Sequence, residues 1–284
     1  MPIEMITDDP ESLAHAGFEW RVRDGVRVLT CTQLETDGFA NGFSTRAGGC
    51  SPVPAEGALN LAGFDQDDAA NIKENRRRFL KLFQGDWRLA TCHQVHGADV
   101  RLITRDTTGA LDTNVERCDA LTTGTPRILL GVQTADCVPI IIGDARTGAC
   151  AAVHAGWRGT AASIVVRALE RMRAEYGTRA EEVRACVGPA ANVCCYEVGA
   201  EVVEIFRTRF QYADELLVPT RDGHARIDLQ RANRRQLTDA GVSSERIHIA
   251  PFCTICRGDL FFSYRREKKL HGCTGRLLAV IGRQ

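Results

Sequence analysis

No uninterrupted apolar run in the 284-residue chain approaches the ~20 residues that a membrane-spanning helix needs. The stretch Met1–Pro10 is acidic where a secretory leader would be basic and then apolar. Both features predict a cytoplasmic chain with no membrane partner. Net charge is also missing, because 36 Lys and Arg balance 36 Asp and Glu. No global positive field draws the chain onto nucleic acid, so the expected partner is a small molecule. Nothing repeats at a fixed period, no tract is low in complexity, and no Pro/Ser-rich linker divides the sequence. One domain over residues 1–284 is the simplest reading, and a 44% hydrophobic content supplies a substantial core. No heptad or other signature sets the oligomeric state, which leaves monomer and homodimer both open.

Histidine is scarce, at seven residues, whereas cysteine is abundant, at twelve. Without an export signal the thiols are expected to stay reduced and to serve as core residues, ligands or nucleophiles. Cys31, Cys150 and Cys186 sit in apolar stretches such as GACAAVHA and VRACVG, where a thiol packs as a small hydrophobe. Cys253 and Cys256 form a CxxC, but no second pair follows at zinc-finger spacing, so core packing is the expected role there.

DDAANIKENRRRFLKLF, from Asp67, has an Asp cap and apolar Ile72, Phe79, Leu80 and Phe83 on a helical period. ASIVVRALERMRAEYG places Ile164, Val165, Ala168, Leu169 and Met172 on one face and stops at Gly177. Two more helices are expected over 198–210 and 228–240. Between them lie Val- and Ile-rich runs that read as buried strands: VRVLT, RILLGV, VPIIIG, CAAVHA, VRACVG, RIHIA and LLAVIG. Three of these fall in succession over 127–155 with no room for crossover helices, so part of the sheet must be antiparallel. The fold class is therefore α+β, with mixed, partly antiparallel sheet flanked by helices.

Reactive residues cluster at strand ends and glycine turns in three segments: HQVHGADV at 93–100, QTADCVPI at 133–140 and VHAGWRGTA at 153–161. CHQVHG alone offers Cys92, His93 and His96, which spacing cannot sort into ligands and bystanders. A His, a Cys and a His meeting from separate segments would make a three-ligand zinc site with a fourth position open to water. Zinc would acidify that water toward neutrality. The rival is a cysteine–histidine dyad with Cys137 as nucleophile and His154 as base.

The motifs FSTRAGGCS, LNLAGFDQDD, QVHGADV, CDALTT, TADCVPI, VHAGWRGT, VGPAANVCCYEVG, DLQRANRRQL and LFFSYRRE...TGR occur in an order that resembles the YfiH/YlmD family. That family also carries the labels laccase-domain, multicopper polyphenol oxidoreductase and peptidoglycan editing factor. The resemblance runs over nearly the whole chain and implies a YfiH-like fold, with distant toxin relatives. It implies zinc ligands at His96, Cys137 and His154, catalysis through their zinc-bound water, and a purine nucleoside enzyme. The implied reactions are phosphorolysis of adenosine, inosine and methylthioadenosine, and deamination of adenosine, with nucleoside and phosphate as partners.

Phosphorolysis asks for cations that hold phosphate. Arg46, beside a glycine turn with Ser44 and Thr45, suits an oxyanion, and Arg158 and Arg265 are further candidates. Asp136 either orients a ligand histidine or caps a turn, and His93 stays as a neighbour that supports the metal or contacts substrate. Two departures from the family pattern stand out: Ala190 replaces a thiol common after GP, and REKKLHGCTGR is longer than usual before TGR. The alternatives are the Cys137/His154 hydrolase, a zinc amidase that edits a peptidoglycan precursor, and a non-enzymatic zinc-stabilised module. A copper laccase is disfavoured because its blue and trinuclear sites need more histidines than seven. Copper is still expected as an adventitious metal in a His/Cys site, since it outcompetes zinc on raw affinity.

Overall fold

In the strand that VPIIIG forms, successive side chains alternate between two apolar environments, not between core and solvent. Val138, Ile140 and Ile142 pack with helices, while Ile141 packs against a second sheet. A strand buried on both faces reads as a continuous hydrophobic run, and the architecture follows from that. The computed structural model describes residues 9–63, 66–105 and 117–284. Most of the acidic start, and Phe64 and Asp65 of LNLAGFDQDD, lie outside them.

One six-stranded sheet runs β1 (Phe18–Arg23), β2 (Val26–Cys31), β3 (Phe39–Ser44), β16 (Leu277–Arg283), β8 (Ile128–Thr134) and β5 (Arg88–Ala90). The other runs β15 (Ile247–Ile249), β11 (Val183–Val187), β9 (Val138–Asp144), β10 (Cys150–Ala155), β7 (Ala120–Thr123) and β6 (Val100–Leu102). Both are mixed: antiparallel within, and parallel only at the edge pairs β5–β8, β11–β15 and β6–β7. A small third sheet joins β12 (Glu197–Val198), β14 (Ala225–Ile227) and β13 (Leu217–Pro219), and β4 (Ala47–Ser51) bridges to Ala58.

The two large sheets face each other across Leu29, Phe39, Phe43, Leu130, Ile141 and Ile281. Short helices α1 (Pro10–His15) and α2 (Thr32–Thr36) contribute Leu13 and Leu34 to the same layer. Helix α3 (Ala69–Leu80), capped by the Asp68 carboxylate on the Ala70 N–H, covers the outer face of the first sheet with Phe79. On the outer face of the second lie α5 (Ile164–Tyr176), α6 (Ala200–Arg209) and α7 (Leu229–Asp239). Helix α5 buries the five residues expected of it and ends at Gly177 in the left-handed region. Cys31, Cys150 and Cys186 are fully buried between the sheets. No helix among the described residues is long and apolar enough to cross a membrane.

Two departures from the sequence pattern shape the functional end. The turn after β10 does not lead straight into one helix: α4 (Trp157–Ala161) comes first, and Ser163 in the left-handed region breaks it from α5. Strands β8 and β9, adjacent in sequence, belong to different sheets. The residues Ala135–Cys137 carry the chain from one sheet to the other, with Asp136 at φ 92°.

Candidate metal centre

Cys137 stands at that sheet switch, directly before β9. The antiparallel register of β9 and β10 sets Val138 against Ala155 and Pro139 against His154. Along β10, Cys150 and Ala152 face the inter-sheet layer and Ala151, Val153 and Ala155 face the helices. His154 therefore falls on the inter-sheet face, beside Cys137. His96 arrives from the loop between β5 and β6. One ligand atom from each of His96, Cys137 and His154 lies within 4.8 Å of the others, and the two imidazoles meet edge-on with ring centroids 5.0 Å apart. Gly156 makes the room, because a Cβ there would sit 3.1 Å from both Cys137 Sγ and His96 Cδ2.

Asp119, buried at the start of β7, organises both histidines. Its Oδ1 accepts from His154 Nδ1 at 2.8 Å and from the His96 backbone N–H at 2.9 Å; its Oδ2 accepts from the N–H groups of Gly97 at 2.7 Å and Val95 at 3.1 Å. His96 sits at φ 58°, a left-handed conformation that costs a non-glycine residue ~1–3 kcal/mol and persists only where surroundings over-determine it. Three N–H groups converging on one carboxylate are such surroundings. Binding of Asp119 at Nδ1 also fixes the His154 tautomer, leaving the Nε2 lone pair for a ligand. Gln94 ties the same loop to β8 by accepting from the Gln133 N–H and donating to the Gln133 carbonyl, both at 2.7 Å.

Burial pushes the Asp119 carboxyl up, but the His154 bond and the backbone N–H groups outweigh it and hold it below the ordinary carboxylate range. Burial likewise pushes the Cys137 thiol up, and the adjacent His154 and His96 reverse this, bringing it down to about 6. His154 is pushed down by burial and, more strongly, up to about 9 by Cys137 and Asp119. In the metal-free protein, acid neutralises Cys137 as pH falls through about 6, and base neutralises His154 as pH rises through about 9. The stabilisation each ion contributes is lost in those same directions. The thiolate absorbance of metal-stripped protein should therefore titrate with a midpoint near 6, and His154→Ala should move it toward the ordinary thiol value. An unshifted midpoint in that variant would contradict the pairing.

A tetrahedral zinc with bonds of ~2.0 Å to nitrogen and ~2.3 Å to sulfur holds its ligand atoms ~3.3–3.8 Å apart, which the spacing of the three accommodates. Thiolate with two imidazoles is a donor set for zinc or copper. Among the described residues no fourth His, Cys, Asp or Glu joins them, and His96 is exposed.

Asp136 does not orient a ligand histidine: its carboxylate accepts from Thr254 Oγ1 at 2.7 Å and the Arg265 N–H at 2.6 Å. It ties the sheet switch to helix α8 (Tyr264–His271), and burial raises its pKa. Arg46 is not free for phosphate, since its Nη1 donates to Glu267 and to the Gly258 carbonyl, each at 2.6 Å, and a buried carboxylate already takes its charge. His93 is exposed. Cys92 is buried, and the neighbouring Cys118 together with burial drives its thiol pKa up, away from ligation.

Arg158 stacks on Trp157, and Arg265 stacks on Tyr196 while donating to the Glu197 carbonyl at 2.9 Å. Both are exposed. Among the described ion pairs neither has a carboxylate partner. The segment REKKLH continues α8, so Arg265 lies in its first turn. Tyr196 sits close enough to Cys137, Asp136, Arg158 and Arg265 to feel their charges, and burial first, then the Cys137 charge, raises its hydroxyl to about 12. Asp119 and Tyr196 lie inside the motifs CDALTT and CCYEVG, yet nothing in their local sequence marks either one.

The fold and this centre define an α+β protein of two facing mixed sheets flanked by helices, with a His/Cys/His cluster, able to hold a metal ion, at one end. The chain belongs to the family described as multi-copper polyphenol oxidoreductase laccase, the YfiH/YlmD family, whose model matches residues 40–284. It is similar to "Purine nucleoside phosphorylase YlmD" of Geobacillus stearothermophilus, with 36% identity over 264 residues covering 90% of this chain and 94% of the relative. It is also similar to "Adenosine deaminase RL5" from an unknown prokaryotic organism, with 36% identity over 231 residues covering 79% of this chain and 87% of the relative. The crystal structure of Bacillus licheniformis hypothetical protein YfiH superposes with a TM-score of 0.85 at 29% identity, covering 93% of this chain and 99% of that one.

Proposed function

We propose that the chain is a single-domain purine nucleoside enzyme of the cytoplasm, with zinc held by His96, Cys137 and His154. It would carry out phosphorolysis of adenosine, inosine and methylthioadenosine, and deamination of adenosine. The observation that carries this reading is the open three-ligand centre oriented by Asp119, set beside relatives named for these two activities. Zinc, when bound, supplies a Lewis acid and a water acidified toward neutrality.

The chain's own residues supply the rest. Phosphate must be held against the sugar carbon while the base departs with the bonding pair. Arg158 and Arg265, exposed and without a carboxylate partner among the described ion pairs, provide the cations. Tyr196 keeps its proton at neutral pH and can donate it in a hydrogen bond to a purine that gathers negative charge. His96 gives the site a solvent-facing wall through which a nucleoside enters.

A laccase needs a trinuclear copper cluster built from histidines, and only His96 and His154 of the seven converge here. The series Cys137, His154, Asp119 is also a nucleophile, base and orienter, so a metal-independent cysteine hydrolase is the second reading. His96, aimed at the same point and without a part in a dyad, favours the metal.

Adenosine with phosphate should give adenine and ribose phosphate, and without phosphate inosine. Phosphate-dependent turnover that yields no ribose phosphate would rule out the phosphorylase. Arg158→Ala or Arg265→Ala should raise the KM for phosphate ~10-fold or more, the worth of a charge-assisted hydrogen bond. Neither should do the same to the phosphate-independent deamination.

A further inference from the structure

Four cysteines outside the triad meet where two loops cross. Cys194 and Cys195 lie between β11 and β12, and Cys253 and Cys256 lie between β15 and α8. The CxxC that lacked a second pair in sequence finds one in space. All four Sγ atoms lie within 4.8 Å of one another, with Cys256 Sγ 3.2 Å from Cys195 and 3.6 Å from Cys194. We propose that these four thiols form a second, closed metal site holding one structural zinc.

The geometry suits one ion. Four thiolates at ~2.3 Å from a tetrahedral zinc have S···S edges of ~3.8 Å, close to the spacings found. A disulfide would bring two sulfurs to ~2.05 Å, and an iron–sulfur cluster, with its own metals and sulfides between the thiolates, would hold them farther apart. Core packing accounts for Cys253, which is buried, and not for Cys194, which is exposed. Four thiolates on one dication leave excess negative charge, and cations stand ready for it. Arg226 donates to the Cys194 carbonyl and Arg266 to the Ile255 carbonyl, each at 3.2 Å.

Four protein ligands close the coordination sphere, which makes the site structural. Its position gives it work at the other centre. Cys195 leads into Tyr196. Cys253 bridges to Ala190, and Thr254, next in the chain, donates to Asp136 beside Cys137. An ion here clamps both loops that wall the first site.

The test uses full-length protein purified under reducing conditions. Wild type should hold two zinc ions per chain; Cys253→Ser/Cys256→Ser should lose one, and Cys137→Ala/His154→Ala should lose the other. With cobalt in place of zinc, the intense all-thiolate absorption should survive in the triad variant and vanish in the CxxC variant. Should the CxxC variant fail to fold, alkylation of wild type with mass-spectrometric mapping gives the same answer. Cys194 and Cys256 should be protected with zinc and modified together after chelation. A triad variant free of metal, free labelling of Cys194 in zinc-loaded protein, or a disulfide among the four would each overturn the proposal. None of these readouts depends on nucleoside turnover, so the second site stands or falls apart from the proposed activity.

Discussion

His96→Asn removes one zinc equivalent and lowers nucleoside turnover by roughly a thousandfold or more, the several kcal/mol that a Lewis acid contributes to charge development. Asparagine is the informative replacement because His96 sits at φ 58°, a conformation asparagine tolerates, so the loop keeps its shape while the imidazole goes. His154→Ala would cost as much activity, but it also strands the buried Asp119 carboxylate without its imidazole partner and confounds chemistry with stability. His96 is exposed, so its removal should leave the melting temperature of the metal-free protein within a few degrees. The same variant separates the two readings of the site. If Cys137 were a nucleophile with His154 as base, loss of His96 would leave both groups in place and remove only the smaller part of what holds the thiol pKa down, so turnover would fall only severalfold. Zinc content and turnover measured on one preparation decide between them: retained activity with metal lost would sink the zinc mechanism.

The parts of the fold legible in sequence are those whose signal is local. Helices α3, α5, α6 and α7 have apolar residues on a helical period with caps or stops, and all seven Val/Ile-rich runs form strands. The remaining strands carry weaker patterns. FANGFS in β3 has asparagine and glycine in a fully buried strand, and the Asn41 side chain bonds to the Cys31 backbone in place of an apolar contact. Strands β5, β6 and β13 are only three residues long. The division into two sheets was not legible at all. Nothing in RILLGVQTADCVPIIIG distinguishes a hairpin from a switch between sheets, since both need only a short polar turn.

Motif resemblance implies that His96, Cys137 and His154 belong together, and strand register accounts for the meeting of two of them: a histidine at the end of β10 and a cysteine one residue before β9 are set side by side by antiparallel pairing. The charges around the set were not legible. Arg46 reads as a phosphate ligand from Ser44, Thr45 and the glycine turn beside it, and nothing in sequence signals that Glu267, far along the chain, reaches it. Asp136 adjoins Cys137 in the chain, yet its carboxylate points to Thr254 and α8. The four-cysteine cluster gives no local sign either, since its two pairs lie far apart in the chain and meet where Ala190 pairs with Cys253.

Asp119→Asn should weaken zinc binding ~10–100-fold, the usual worth of a carboxylate that orients a ligand histidine, and should cost stability as well. The carboxylate accepts four hydrogen bonds, two at each oxygen. An amide must put its NH2 at one of the two places. At Oδ2 it would face the Val95 and Gly97 N–H groups, donor against donor, and the loop that presents His96 would let go. At Oδ1 it would face the His96 N–H and His154 Nδ1, which drives the His154 proton to Nε2 and blocks the ligand lone pair. Either rotamer thus forfeits one ligand histidine. Depending on the rotamer, one or two part-buried N–H groups lose their acceptor, at up to ~1–3 kcal/mol each, so the metal-free variant should melt measurably lower than wild type. Asp136→Asn is the counterpart: its carboxylate touches no ligand, so zinc affinity should hold to within a few-fold. Chelator competition on both variants gives the comparison, and an Asp119→Asn protein that binds zinc as tightly as wild type would show that the ligand histidines are positioned by something else.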